Sequence, residues 1–250
     1  MCAIWRVRCV GIFLAFLCVT LCAVAQDTFT ITGANPNNYS MDGVYVSPYQ
    51  GTVTNGSNPV YSGLVICDDF TDEVTVPETW QAEPSTVGAG GATNGLFESS
   101  SYSYTLLGNT FSYSGAQGYN AVAWLADQLI TNGNYNNQIQ AAELSFAIWT
   151  VFDPGAINYV TGIGALTQSQ VENQVVADIK TAFSDGAYTG PTVSVWTPTS
   201  WAGDPSRPQE FLTVQTPEAP ILANLAVDLT ALLGAIFVMR RRQLRTKRAN

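Results

Sequence analysis

The 250-residue chain is 46% apolar, with nineteen acidic residues against ten Lys plus Arg, and it contains no histidine. That apolar content supports a buried core and excludes a disordered chain. Eighteen acids and only two cations, Lys180 and Arg207, lie between Gln26 and Pro220, so the middle of the chain lacks the clustered Lys and Arg that nucleic acid requires.

The first element in chain order is an address. Arg6 and Arg8 precede an apolar run from Val10 to Leu17, followed by Ala23-Val24-Ala25. A basic flank, a short apolar core and a small-x-small site predict a secretory signal peptide over 1–25, with Ala23 and Ala25 marking cleavage. Cys22 is a poor lipoprotein site, because Leu21 stands where a small residue is needed. Four of the five cysteines leave with the signal, so Cys67 has no partner for an internal disulfide.

A domain is expected over 26–200. From Asp27 to Tyr113, Thr, Ser, Tyr, Val and Gly dominate, with turn clusters at Asn35–Asn38 and Asn55–Pro59, which predicts strands and frequent turns. Pro84 to Ser101, with four glycines and a serine run, predicts a long surface loop. Helical periodicity follows, near 120–185. Ala121, Trp124, Leu125 and Leu129 form one stripe. Ile139, Ala142, Phe146 and Trp149, thickened by Leu144, Ile148 and Val151, form a second that is apolar enough to be buried. Val171, Val175, Ile179 and Phe183 form a third, ended near Gly186. Short strands return at Thr192–Trp196 and Phe211–Val214, and a linker is expected over 201–216. The expected class is α+β: a β-rich domain with a helical insertion, followed by a single C-terminal transmembrane helix.

That helix is expected at 221–239. Nineteen mostly apolar residues at about 1.5 Å each reach about 28 Å, close to the bilayer core. Asp228 costs about 3 kcal/mol near mid-membrane, which ten Leu, Ile, Val and Phe residues approximately offset. Six cations and no acid after Met239 place the C-terminus on the cytoplasmic side.

Thr216-Pro217-Glu218-Ala219-Pro220, one apolar span and then Arg240, Arg241 and Arg242 together resemble the PEP-CTERM sorting domain over 217–250. Pro217, Glu218, Pro220 and the three arginines carry the resemblance, while Ala219 and Asp228 depart from the pattern. The resemblance implies processing by an exosortase-type enzyme, at least transient anchoring in the inner membrane, and an extracellular or envelope location alongside exopolysaccharide.

The absence of histidine excludes His-based triads, Cys-His pairs and histidine zinc sites. Lys180 falls on an expected exposed helix face, which argues against a Ser-Lys dyad. Asp68 with Asp69, or Asp72 with Glu73, could serve a carboxylate glycosidase, although adjacent acids in a loop are more often solvated surface or weak calcium ligands. Their spacing does not match the Asp-x-Asp-x-Asp-Gly calcium loop. No metal site and no cofactor are expected.

Val65-Ile66-Cys67-Asp68, Ala123-Trp124-Leu125 and Ala141 to Trp149 resemble bacterial surface thioester domains. In that family a strand cysteine attacks a glutamine amide four residues before a tryptophan, and the product couples covalently to amines. Here that position is Ser145, which has no amide, so Cys67 and Ser145 form a degenerate version of the pair. Gln140 lies about 140° round the helix from that position, and Gln138 lies two turns away along the axis. The expected function is a non-enzymatic structural or adhesive protein of the cell surface or matrix. The alternatives are a covalent thioester adhesin acting through Cys67 and a carboxylate glycosidase.

Overall fold

A computed structural model describes residues 26–34, 36–199 and 207–215. The class is α+β, with a β-rich core and a helical insertion. Six strands carry the core: β1 (Asp27–Gly33), β4 (Tyr49–Asn55), β5 (Asn58–Cys67), β6 (Glu78–Thr86), β9 (Thr192–Pro198) and β10 (Phe211–Gln215). They close into a barrel in the order β1-β4-β5-β10-β9-β6, with every pair antiparallel. Closure leaves no free edge along most of the sheet.

Alternating burial along the strands is what fills the barrel. On β1, Asp27, Phe29 and Ile31 are buried and the residues between them are not, as a period of two requires. Phe29 meets Trp80 at 5.0 Å and Phe211 at 5.4 Å between ring centroids, and Trp80 meets Phe211 at 5.8 Å. These rings come from three strands far apart in sequence, so the interior forms only when the barrel closes.

Two small hairpins decorate the barrel: β2 (Ser40–Met41) with β3 (Val44–Tyr45), and β7 (Ser101–Leu106) with β8 (Asn109–Ser114). The insertion holds α1 (Gly115–Thr131), α2 (Gln138–Phe152) and α3 (Gln168–Asp185). Capping boxes open α1, through Ser114 and Gln117, and α3, through Thr167 and Gln170. Every residue of α2 from Ala141 to Phe152 is buried, so this helix is enclosed by its neighbours rather than lying on the surface. Tyr104 and Tyr113 of the β7–β8 hairpin donate to the Thr150 and Val151 carbonyls near its end.

Two expectations are corrected. The segment 84–101 is not a surface loop throughout. Pro84 to Thr86 belong to β6 and pair with β9, and beyond them Val87 and Ala92 are buried. Gly95 has no room for a side chain, since a Cβ there would stand 2.3 Å from the Tyr119 ring. Gly91 is closely approached too, by Ala116 of α1, whereas Gly88 and Gly90 have open space around them. The expected linker over 201–216 contains β10, which closes the barrel between β5 and β9, so the domain extends to Gln215.

The transmembrane helix expected at 221–239 lies outside the described residues, as do the signal peptide and the sorting motif. Among the described residues no helix is long and apolar enough to cross a membrane.

Candidate functional site

Cys67 ends β5, where the barrel meets the helices. It is 1% exposed and is the one free cysteine among the described residues. Its backbone N–H donates to Ser47 Oγ at 3.3 Å, and the Ser47 N–H donates to Ser145 Oγ at 3.0 Å. Ser145 in turn donates to the Ala141 carbonyl one turn back along α2, at 2.6 Å. Strand cysteine and helix serine, the two positions singled out in the sequence, therefore stand on either side of one residue, Ser47. Gln138 and Gln140 are exposed near the start of α2, away from this junction.

The thiol itself donates to the Asp69 carbonyl at 3.0 Å. Burial first, then the Asp69 and Asp68 carboxylates, push its pKa well above the ordinary value, against weaker opposing help from the Asp69 backbone and the Trp149 indole N–H. The thiolate is the nucleophilic form, so at neutral pH this sulfur is a protonated packing group.

The acids beside it are not the solvated loop their sequence suggested. Asp68 and Asp69 are both 0% exposed. Neither Asp68 oxygen receives a hydrogen bond from an N–H or hydroxyl donor, whereas Glu210, also fully buried, has three such donors. Tyr119 donates to Oε1, and the Leu96 N–H (2.9 Å) and Thr197 hydroxyl donate to Oε2. Burial and the neighbouring Glu210 carboxylate raise Asp68 well above the carboxylate range, and burial also raises Glu210 while its donors and Asp68 pull it back. Burial and the neighbouring Glu210 carboxylate thus favour the neutral form of Asp68, because like charges this close do not both ionise.

A short strap holds the acids in place. Arg207 grips Asp72 Oδ2 through Nε at 2.7 Å and Nη2 at 2.6 Å, with Asp69 Oδ2 at 4.0 Å. Gln209 donates to the carbonyls of Asp69 and Asp72. Asp69 Oδ1 accepts from the Thr71 N–H and hydroxyl. Burial, followed by Asp72, raises Asp69 to about 7. A second acid site lies among the helices, where burial and then Asp178 raise Glu143 to about 7.

Outside this junction runs an open groove of about 790 Å³. The 70–76 loop and the β3 tip form one wall, and the 3-10 turn Pro154–Tyr159 forms the other. Phe70 anchors it, with ring centroids 5.3 Å from Trp149 and 5.1 Å from Tyr159.

The sequence missed Ser47, Tyr119, Arg207, Gln209 and Glu210 as site residues. None carries a local signal: Ser47 and Ser145 are 98 positions apart, and Tyr119 and Glu210 are 91. Among the described residues no group of three or more His, Cys, Asp or Glu is arranged to hold an ion. Ala23, Ala25, Pro217, Glu218, Pro220, Arg240, Arg241 and Arg242 lie outside the described residues. Comparison with protein-family models, with curated proteins and with solved structures found no match.

Proposed function

We propose that this chain is an exported protein of the cell surface or extracellular matrix, structural or adhesive rather than enzymatic. It associates with exopolysaccharide and is sorted by an exosortase-type enzyme through Pro217, Glu218, Pro220 and the Arg240–Arg242 cluster, with a single C-terminal helix anchoring it in the membrane. The observation that carries the non-enzymatic part is the state of the Cys67–Ser145 pair. Ser145 spends its hydroxyl on Ala141 and Ser47 and offers no acyl group, and the Cys67 thiol across Ser47 is held protonated by its surroundings. Hydrogen bonding through Ser47 joins barrel to helix at this junction.

The covalent alternative draws support from one feature, the meeting of the Cys67 strand end and the position-145 helix turn at Ser47. It lacks the amide that would form the bond. The glycosidase alternative loses Asp68 and Asp69, which no substrate reaches, and Asp72 is tied to Arg207.

Two epitopes test the address, one in the Asn55–Asn58 turn and one after Arg248. On intact cells the first should be open to antibody and the second should be closed to it or removed. An intracellular first epitope, or an exposed second one, would refute the topology.

A further inference from the structure

The groove beside Phe70 gathers features that the Cys67 junction does not use. Five large apolar side chains are exposed among the described residues, and three of them, Tyr45 (49%), Val76 (38%) and Tyr159 (47%), line this one groove. Exposed apolar surface concentrated in a concave site marks a binding surface. Tyr159 is held by its edge contact with Phe70, so one wall of the groove is a braced aromatic face rather than a loose side chain.

The polar lining sets the ligand's charge. Glu73 and Asp153 supply carboxylates, and Asn158 and Gln209 supply amides. No Lys or Arg lines the groove, and the nearby Arg207 is already paired with Asp72. Anionic ligands are repelled by such a lining. Carboxylates and amides are good acceptors for pairs of hydroxyl groups, and the electron-rich faces of tyrosine rings attract the weakly positive C–H faces of a sugar ring. A volume of about 790 Å³ lies within the range of small-molecule sites.

We infer that this groove binds a short stretch of an uncharged glycan chain, packed against Tyr45 and Tyr159 and hydrogen-bonded by the acids and amides around them. The inference rests on the proposal of a non-enzymatic, polysaccharide-associated protein and assigns that association to a site.

Calorimetry on the full chain in a sugar-free detergent tests it, with cellohexaose, xylohexaose, maltohexaose and N-acetylated chitohexaose as probes. Hexagalacturonate serves as the anionic control and hexalysine as the peptide control. At least one uncharged hexamer should bind, with little dependence on salt. Tyr159→Ala and Tyr45→Ala should each weaken that binding by about tenfold, with melting temperatures unchanged. Three results would overturn the inference: no uncharged hexamer bound at millimolar concentration, binding unaffected in the double variant, or a charged control binding in their place. Release of reducing ends from a bound hexamer would bear out the groove and refute the non-enzymatic proposal, so the two fail separately.

Discussion

Cys67 and Asp68 are neighbours at the end of one strand, equally buried, yet they face opposite kinds of surroundings. On the Cys67 side the partners are neutral: Ser47, Ser145 and a backbone carbonyl. On the Asp68 side two buried carboxyl groups oppose each other's ionisation, and Glu210 gathers Tyr119 of α1, Thr197 of β9 and the Leu96 backbone around one charge. Both sides join barrel to helices. The neutral side makes ordinary hydrogen bonds with a modest net contribution, whereas the acid side holds a buried charge whose donors cannot be removed cheaply. The asymmetry predicts that the junction's strength and its pH dependence come from the acids, and that the thiol contributes little beyond packing.

The largest expected effect tests the acid side. Glu210→Ala strands the Tyr119 hydroxyl, the Thr197 hydroxyl and the Leu96 N–H in a dry site, for a loss of about 4 kcal/mol, or about 10 °C of melting temperature in a domain of this size. Thermal unfolding measures it, and a loss no larger than that of a neutral-side variant would erase the contrast.

The next effect is a pH dependence of unusual sign. Unfolded, these carboxyls titrate near pH 4. Folded, Asp69 and Glu143 titrate at about 7, and Asp68 is held well above its ordinary value. Between about pH 4 and 7 the folded chain therefore binds more protons than the unfolded one, and stability falls as pH rises through that window. The melting temperature should be higher at pH 5 than at pH 8. Asp68→Asn, which stays neutral at every pH, should flatten the slope and raise stability at pH 8 while changing little at pH 5. A profile that rises toward pH 8 would overturn the assignment of the proton.

On the neutral side, Ser145→Ala should cost only about 1 kcal/mol. It removes the acceptor for the Ser47 N–H and a hydroxyl bonded within its own helix. A loss as large as that of Glu210→Ala would show the two sides to be equivalent.

What the sequence disclosed follows the range of the forces involved. The stripes through Ala121, Ile139 and Val171 announced three helices, because helical burial repeats within a few residues. Composition and turn clusters from Asp27 to Tyr113 announced strands, because turn residues punctuate them locally. Barrel closure left no such trace, since β10 meets β5 at only two positions, Phe211 with Cys67 and Leu212 with Ile66, and β5 lies across the whole insertion. The first turn of α1 was hidden because Gly115 and Gly118 weaken its helical pattern; Gly118 is there to admit the Phe152 ring, 2.6 Å from where a Cβ would stand. Asp68 and Asp69 read as surface because two adjacent acids usually are, and nothing local reveals that Glu210, 142 positions on, is buried beside Asp68. The Cys67–Ser145 neighbourhood was legible only through a family resemblance, while Ser47, which joins the two, was not.

The central claim is that this junction is a hydrogen-bonded scaffold without covalent chemistry. Intact-mass measurement of the full chain, before and after incubation with methylamine, tests it most directly. The account predicts no methylamine adduct and, before treatment, no loss of ammonia from the mass the sequence requires. A chain lighter by one ammonia that takes up one methylamine, with both changes abolished by Cys67→Ala, would contradict it.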